Sequence, residues 1–140
     1  CYAGQLNQVF LNILSNGIDA LEFHIEQLLQ NGKKPTINIT TKMVNNDKIL
    51  ISIKDNGAGM RDQVKEKLFD PFFTTKPVGK GTGLGLSISY HIVVEKHQGQ
   101  IRCESELGEG TEFIIEIPAR VSQNKIGVAG NNVAMFPMVA

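Results

Sequence analysis

The chain has 140 residues, of which 41% are hydrophobic, enough to bury one ordinary core and too few for two. Lys plus Arg and Asp plus Glu number 14 each, which leaves no global basic field for nucleic acid and confines any anion binding to a local site. Two cysteines, Cys1 and Cys103, are too few for a disulfide framework, and no apolar run is long enough to cross a bilayer.

The pattern opens inside a helix, as a piece cut from a longer protein would. Between Gln5 and Gln30, Leu6, Phe10, Ile13, Gly17, Leu21 and Leu28 recur at helical spacing. Gln8, Asn12 and Asn16 lie four apart on this helix and Asp19 extends their stripe. Asparagine inside a helix costs roughly half a kcal/mol against alanine. Two such residues therefore read either as amide oxygens kept for a ligand or metal ion, or as a wet outer face.

Asn31 to Pro35 ends the helix. Thr36 to Val44 and Lys48 to Asp55 alternate apolar and polar residues across an Asn45, Asn46, Asp47 turn, which predicts a β-hairpin. Asp55, Asn56, Gly57, Ala58, Gly59 follows where the second strand stops. A carboxylate beside two glycines can accept a hydrogen bond from a ligand amine while the backbone packs flat against it, and the same residues also make an ordinary turn.

Arg61 to Lys80 is charged and broken by Pro71 and Pro77, with one short helical turn over Gln63 to Leu68, so it reads as a long loop. Gly79, Gly81, Gly83 and Gly85 then occupy alternate positions directly before an amphipathic helix over Leu84 to His97, which stops at Gly99. Such a run lets the backbone approach a phosphate and aims helix-start amides at it. It fits neither of the two commonest phosphate fingerprints, GxGxxG and GxxxxGK followed by Ser or Thr.

Gln100 to Ser105 and Thr111 to Ile117 form a second predicted hairpin around Leu107 to Gly110. Periodicity ends after Arg120. The organisation expected is one domain over 1–120 and a tail or linker over 121–140, with helices and antiparallel pairs building an α+β two-layer sandwich. None of the three histidines reads as a nucleophile: His24 sits on the helix surface, His91 lies on the second helix, and His97 suits a helix C-terminus.

Taken in order, these segments resemble the ATP-binding catalytic domain of sensor histidine kinases, within the gyrase, chaperone, histidine kinase and MutL superfamily. The likeness covers about Gln5 to Ala119. NILSNGIDA (Asn12 to Ala20) is similar to the N box, DNGAG (Asp55 to Gly59) to the first glycine box, FDPFFTTK (Phe69 to Lys76) to the F box, GTGLGL (Gly81 to Leu86) to the second glycine box, and GEGT (Gly108 to Thr111) to the closing glycine motif.

The resemblance implies the Bergerat-type fold, a mixed and largely antiparallel sheet covered on one face by helices. It implies that Asp55 accepts the adenine amino group, that Gly57 and Gly59 let the base pack, and that Asn16, seconded by Asn12, coordinates a magnesium bridging the phosphates. Gly81, Thr82, Gly83, Leu84, Gly85 and Leu86 would present amides to those phosphates, and Thr111 would close the pocket. The loop from Arg61 to Lys80 would be the ATP lid, anchored by Phe69, Phe72 and Phe73, with Phe69 more a core residue than a ligand contact. Lys76 and Lys80 would be its phosphate-facing cations. Many relatives carry a lysine soon after the second N-box asparagine where this chain has Asp19, which shifts the burden to those two lysines.

The implied activity is transfer of the γ-phosphoryl group of Mg-ATP to a histidine on a separate dimerisation domain. A response regulator would receive the phosphate afterwards, in the cytoplasm, with no nucleic acid and no membrane contact by this segment. ATP hydrolysis of the gyrase and MutL type and a non-catalytic nucleotide-binding module are the alternatives. Asn12 stands where the hydrolases carry a glutamate base, and an amide cannot take a proton from water.

Overall fold

The computed structural model describes residues 2–76, 79 and 81–119, so the predicted tail and Lys80 lie outside the described residues. Helix α1 runs over Ala3–Gln30 and buries Leu6, Val9, Ile13, Gly17, Leu21 and Leu28, the predicted face less Phe10, which is only half-buried. Its end is a Schellman turn: Gly32 sits at φ 68, its N–H donates to the Leu29 carbonyl at 3.0 Å, and the Lys33 N–H donates to Leu28 at 2.8 Å.

Strands β1 (Ile37–Val44) and β2 (Lys48–Asp55) form the first hairpin. Asn45 and Asn46 take the left-handed conformation at its turn, which their short polar side chains tolerate. A short α2 (Asp62–Lys67) follows, then α3 (Gly85–Tyr90), and finally β3 (Gln100–Glu106) and β4 (Gly110–Pro118) as the second hairpin. The sheet order is β1-β2-β4-β3. Every described pair is antiparallel, so the parallel component of the mixed sheet expected from the sequence is not found among the described strands.

The helices lie on one face of the sheet. Ile51 and Ile53 of β2, Phe113, Ile115 and Ile117 of β4 and Ile101 of β3 point to that face, and they pack with Leu6, Val9 and Ile13 of α1 and with Ile92 and Val93. Val9, Val93 and Ile115 are fully buried at its centre. The opposite face carries polar partners such as Lys48 with Glu116 at 2.8 Å and Ser52 with Glu112 at 2.6 Å. Among the described residues no helix is long and apolar enough to cross a membrane.

The second helix departs from the sequence expectation. Only Gly85–Tyr90 is α-helical, and His91–Lys96 continues as a π-helix. Ile92, Val93 and Val94 are three consecutive β-branched residues, which crowd the preceding turn of an α-helix, and the wider turn gives them room.

Gly99 is not the left-handed cap that its place after the helix suggests. Gln98 takes that conformation at φ 50, and Gly99 is required because a Cβ there would collide with the Glu116 carbonyl of β4. Gly4, inside α1, has nothing within 4 Å of an added Cβ. We therefore expect Gly4→Ala to raise stability by up to about 1 kcal/mol and Gly99→Ala to lower it by at least about 1 kcal/mol, read from urea midpoints at constant m-value.

Candidate functional site

Asp55 reaches the site by strand alternation. It follows Ile51 and Ile53 at the end of β2, so its side chain points to the core face, under α1, where it is buried. Gly17 of α1 lies over it: a Cβ there would be in ordinary contact with Asp55 Oδ2 at 3.6 Å and tight against Ile37 Cδ1 at 3.3 Å. The Gly57 N–H donates to Asp55 Oδ1 at 2.9 Å and the Thr111 backbone N–H also bonds the carboxylate. Burial pushes the Asp55 carboxyl above its ordinary value, and these two backbone bonds oppose the rise.

The glycines of DNGAG each permit one close approach. A Cβ on Gly57 would meet the backbone and side chain of Ala20 on α1 at 2.9 Å. Gly59 is left-handed at φ 69 and faces the Glu106 carbonyl, while the Gly108 N–H donates to the Ala58 carbonyl at 2.6 Å. The segment after β2 is thus clamped between α1 and the second hairpin.

GEGT does more than turn that hairpin. Gly110, at φ 115, lies against the Asp55 carbonyl, and Thr111 is the register partner of Asp55. The Ser105 hydroxyl bonds the Gly110 carbonyl at 2.8 Å, shares a hydrogen bond with Thr111 Oγ1 at 2.9 Å, and accepts the Met60 N–H at 2.9 Å. Ser105 was not foreseen from the sequence, where it is one more polar residue in an alternating strand.

Asn12 ties α1 to α3. Its Nδ2 donates to the Gly85 carbonyl at 3.0 Å and to Ser89 Oγ at 3.2 Å, and among the described residues the amide oxygen takes no hydrogen bond. Ser89, fully buried, also donates to Gly85 at 2.8 Å. Its place four residues after Gly85, facing the asparagine stripe, is the signal the sequence reading passed over. Asn16 lies one turn further along the same face of α1 and is half-buried. The stripe is thus half-buried at Asn12 and Asn16 and exposed at Gln8 and Asp19.

The second glycine box stacks on the F box. A Cβ on left-handed Gly83 would collide with the Phe72 backbone, and one on Gly81 would meet Thr74 Oγ1 and Lys76 Cδ at 3.0 Å. Thr82 Oγ1 accepts the Leu84 N–H at 3.3 Å, and Leu84 and Leu86 pass half-buried into α3. Lys76 Nζ reaches Asp19 Oδ2 at 2.5 Å, a pairing no sequence periodicity announces.

The three F-box aromatics divide. Phe69 packs on the core and against Tyr90, with ring centroids 5.6 Å apart, as expected of a core residue. Phe73 is half-buried, whereas Phe72 is 74% exposed at φ 65, so its side chain does not anchor the loop as the sequence reading held. Backbone contact with Gly83 does that instead.

His97 stands at the C-terminal end of the π-helix, the helix-end place expected from the sequence. It is buried, its Nδ1 bonds the Ile92 carbonyl at 2.8 Å, and its Nε2 accepts the Tyr2 N–H at 3.2 Å, closing the start of α1. Burial pushes the Cys103 thiol up to about 12, which leaves it protonated and inert at neutral pH. Among the described residues no three His, Cys, Asp or Glu side chains gather as a metal cluster. The donors present, Asn16 with the amide oxygen of Asn12, suit magnesium, which takes few protein oxygens and keeps phosphate and water in its shell.

Comparison with known proteins bears on the family and the fold. The model of the family described as histidine kinase-, DNA gyrase B-, and HSP90-like ATPase matches residues 2–121. Sporulation kinase E of Bacillus subtilis (strain 168) is 45% identical over 120 residues, which are 86% of this chain and 14% of that protein. The chain thus spans about a seventh of that curated relative. The nucleotide-free catalytic domain of histidine kinase ThkA superposes with a TM-score of 0.65 at 33% identity, over 84% of this chain and 67% of that one. ThkA in complex with the response regulator protein TrrA superposes with a TM-score of 0.62 at 32% identity, over 84% and 29%.

The raised Asp55 carboxyl sets a sign for pH dependence. The folded chain holds that proton more tightly than the unfolded one, so ionisation costs stability as pH climbs from the ordinary 3.8 through the raised value. Asp55→Asn removes the titration. Its stability relative to the parent should therefore rise between about pH 4 and pH 7, measured by denaturant unfolding of both proteins, and a fall over that range would contradict the sign.

Proposed function

The chain belongs to the histidine kinase-, DNA gyrase B-, and HSP90-like ATPase family, and from that membership and the site we propose that it binds Mg-ATP and presents the γ-phosphoryl group for transfer to a histidine of a separate dimerisation domain. The observation that carries the reading is the buried Asp55 carboxylate, held under Gly17 by the Gly57 and Thr111 backbone. A fixed acceptor in an apolar recess with glycine walls suits the flat, amine-bearing edge of adenine.

The remaining parts follow outward from that recess. Asn16 and the amide oxygen of Asn12 face the magnesium and the phosphates. The backbone of Gly81 to Leu86 meets the phosphates at the start of α3, and Lys76 supplies a cation from the loop above. Magnesium, when bound, neutralises charge on the phosphates. The chain's own task is to bind, orient and enclose them, since phosphoryl transfer is mainly positioning and electrostatics.

Transfer is favoured over hydrolysis by Asn12. Both of its N–H groups are engaged by Gly85 and Ser89, and a carboxamide is no base for water. In this reading the acceptor histidine comes with the dimerisation domain of the full-length protein, a response regulator takes the phosphate from it, and the whole works in the cytoplasm.

Calorimetric titration with a non-hydrolysable ATP analogue and magnesium tests the reading. The parent should bind, and Asp55→Asn should lose at least about tenfold in affinity, the size expected when a buried charged hydrogen bond is replaced. Parent binding that survives Asp55→Asn would remove the adenine assignment, and a parent that fails to bind would remove the proposal.

A further inference from the structure

Lys76 reaches across the site. Its stem lies on Gly81 of the glycine loop, since a Cβ added there would sit 3.0 Å from Lys76 Cδ and 3.2 Å from Lys76 Cβ. Its head meets Asp19 of α1, on the helix face that also carries Asn12 and Asn16. One side chain thus spans from the glycine loop to the helix face that carries Asn12 and Asn16.

Folding does not require this ion pair. The Lys76 and Asp19 side chains are 34% and 47% exposed, and pairs this wet contribute little to stability. What the pair does is place a charge. An ammonium has three donors, and a single carboxylate contact from α1 leaves donors to spare for a phosphate oxygen. Without that contact a four-carbon stem leaves the cation free to swing into water, and a lysine so released loses more rotamer freedom on meeting the phosphate.

We infer that Asp19 is a positioning residue that holds the Lys76 ammonium over the mouth of the site, poised for the terminal phosphate of the bound nucleotide. This rests on the reading of the pocket as an ATP site. It gives Asp19 a use that its charge alone argues against, since a lone carboxylate at that place would repel a triphosphate. A shared lysine converts that repulsion into a selective contact: a nucleotide long enough to reach Lys76 gains from it, and a shorter one does not.

The test is titration of the chain with the magnesium complexes of a non-hydrolysable ATP analogue and of ADP, for the parent, Asp19→Asn, Asp19→Glu, Lys76→Met and the Asp19→Asn/Lys76→Met double variant. Asp19→Asn should weaken the ATP analogue about three- to tenfold and leave ADP within about twofold. Asp19→Glu, which keeps the carboxylate, should restore most of the loss, and the double variant should bind no more weakly than Lys76→Met alone.

Asp19→Asn binding the ATP analogue as tightly as the parent or more tightly, while Lys76→Met binds it more weakly, would overturn the positioning role and leave the ATP-site reading intact. An equal loss for both nucleotides, or a loss that persists undiminished in the Lys76→Met background, would overturn it too. Lys76→Met matching the parent on both nucleotides would remove the terminal-phosphate contact on which the inference rests, while parent binding still upheld the pocket. Failure of the parent to bind either nucleotide would take both readings down together.

Discussion

A carboxylate on the core face of a sheet survives only if something replaces the water it has lost, and the geometry of this protein's site is arranged around meeting that demand at Asp55. Two backbone N–H groups, from Gly57 and Thr111, supply the replacement. Each can arrive because a Cβ is missing nearby: Gly57 lies flat on Ala20, and Gly110 lies on the Asp55 carbonyl. Burial still wins, which is why the carboxyl sits above its ordinary value. The site is therefore an electrostatic liability in the fold that an amine-bearing ligand can relieve.

The glycine loop and the F box are mechanically one unit. Gly83 admits the Phe72 backbone and Gly81 admits Thr74 and the stem of Lys76, so the alternate glycines serve protein-to-protein approach as well as any phosphate. Asn12 then fastens α1 to α3 through Gly85 and Ser89. Whatever moves the loop after β2 must move against these contacts, which couples α1 to the loop above it. A strained, exposed Phe72 at φ 65 is the visible cost of the clasp.

Much of this was legible because it is written in local patterns. The asparagine stripe, the two alternating hairpins and the helix stop at Asn31 follow from spacing and turn chemistry, and the structure keeps them within a residue or two. Two local readings failed for one shared reason. Gly99 and Phe72 were assigned from their immediate neighbours, and in both cases a partner outside that neighbourhood decides: Glu116 for Gly99, Gly83 for Phe72. Local rules rank the conformations a residue prefers, and a packed neighbour overrides a preference worth only about 1 kcal/mol.

The order and composition of the motifs, by themselves, determined the family and the antiparallel hairpins, because periodicity and glycine placement are properties of the chain read along its length. Only the tertiary structure decided what the residues of those motifs do to one another. The burial of Asp55, the closed amide of Asn12, the supporting hydroxyls of Ser89 and Ser105 and the span of Lys76 to Asp19 all join segments far apart in sequence. Side chains that meet across 57 residues, as Lys76 and Asp19 do (76 − 19), leave no period in the sequence to read, since their distance is set by packing and not by the repeat of a helix or strand.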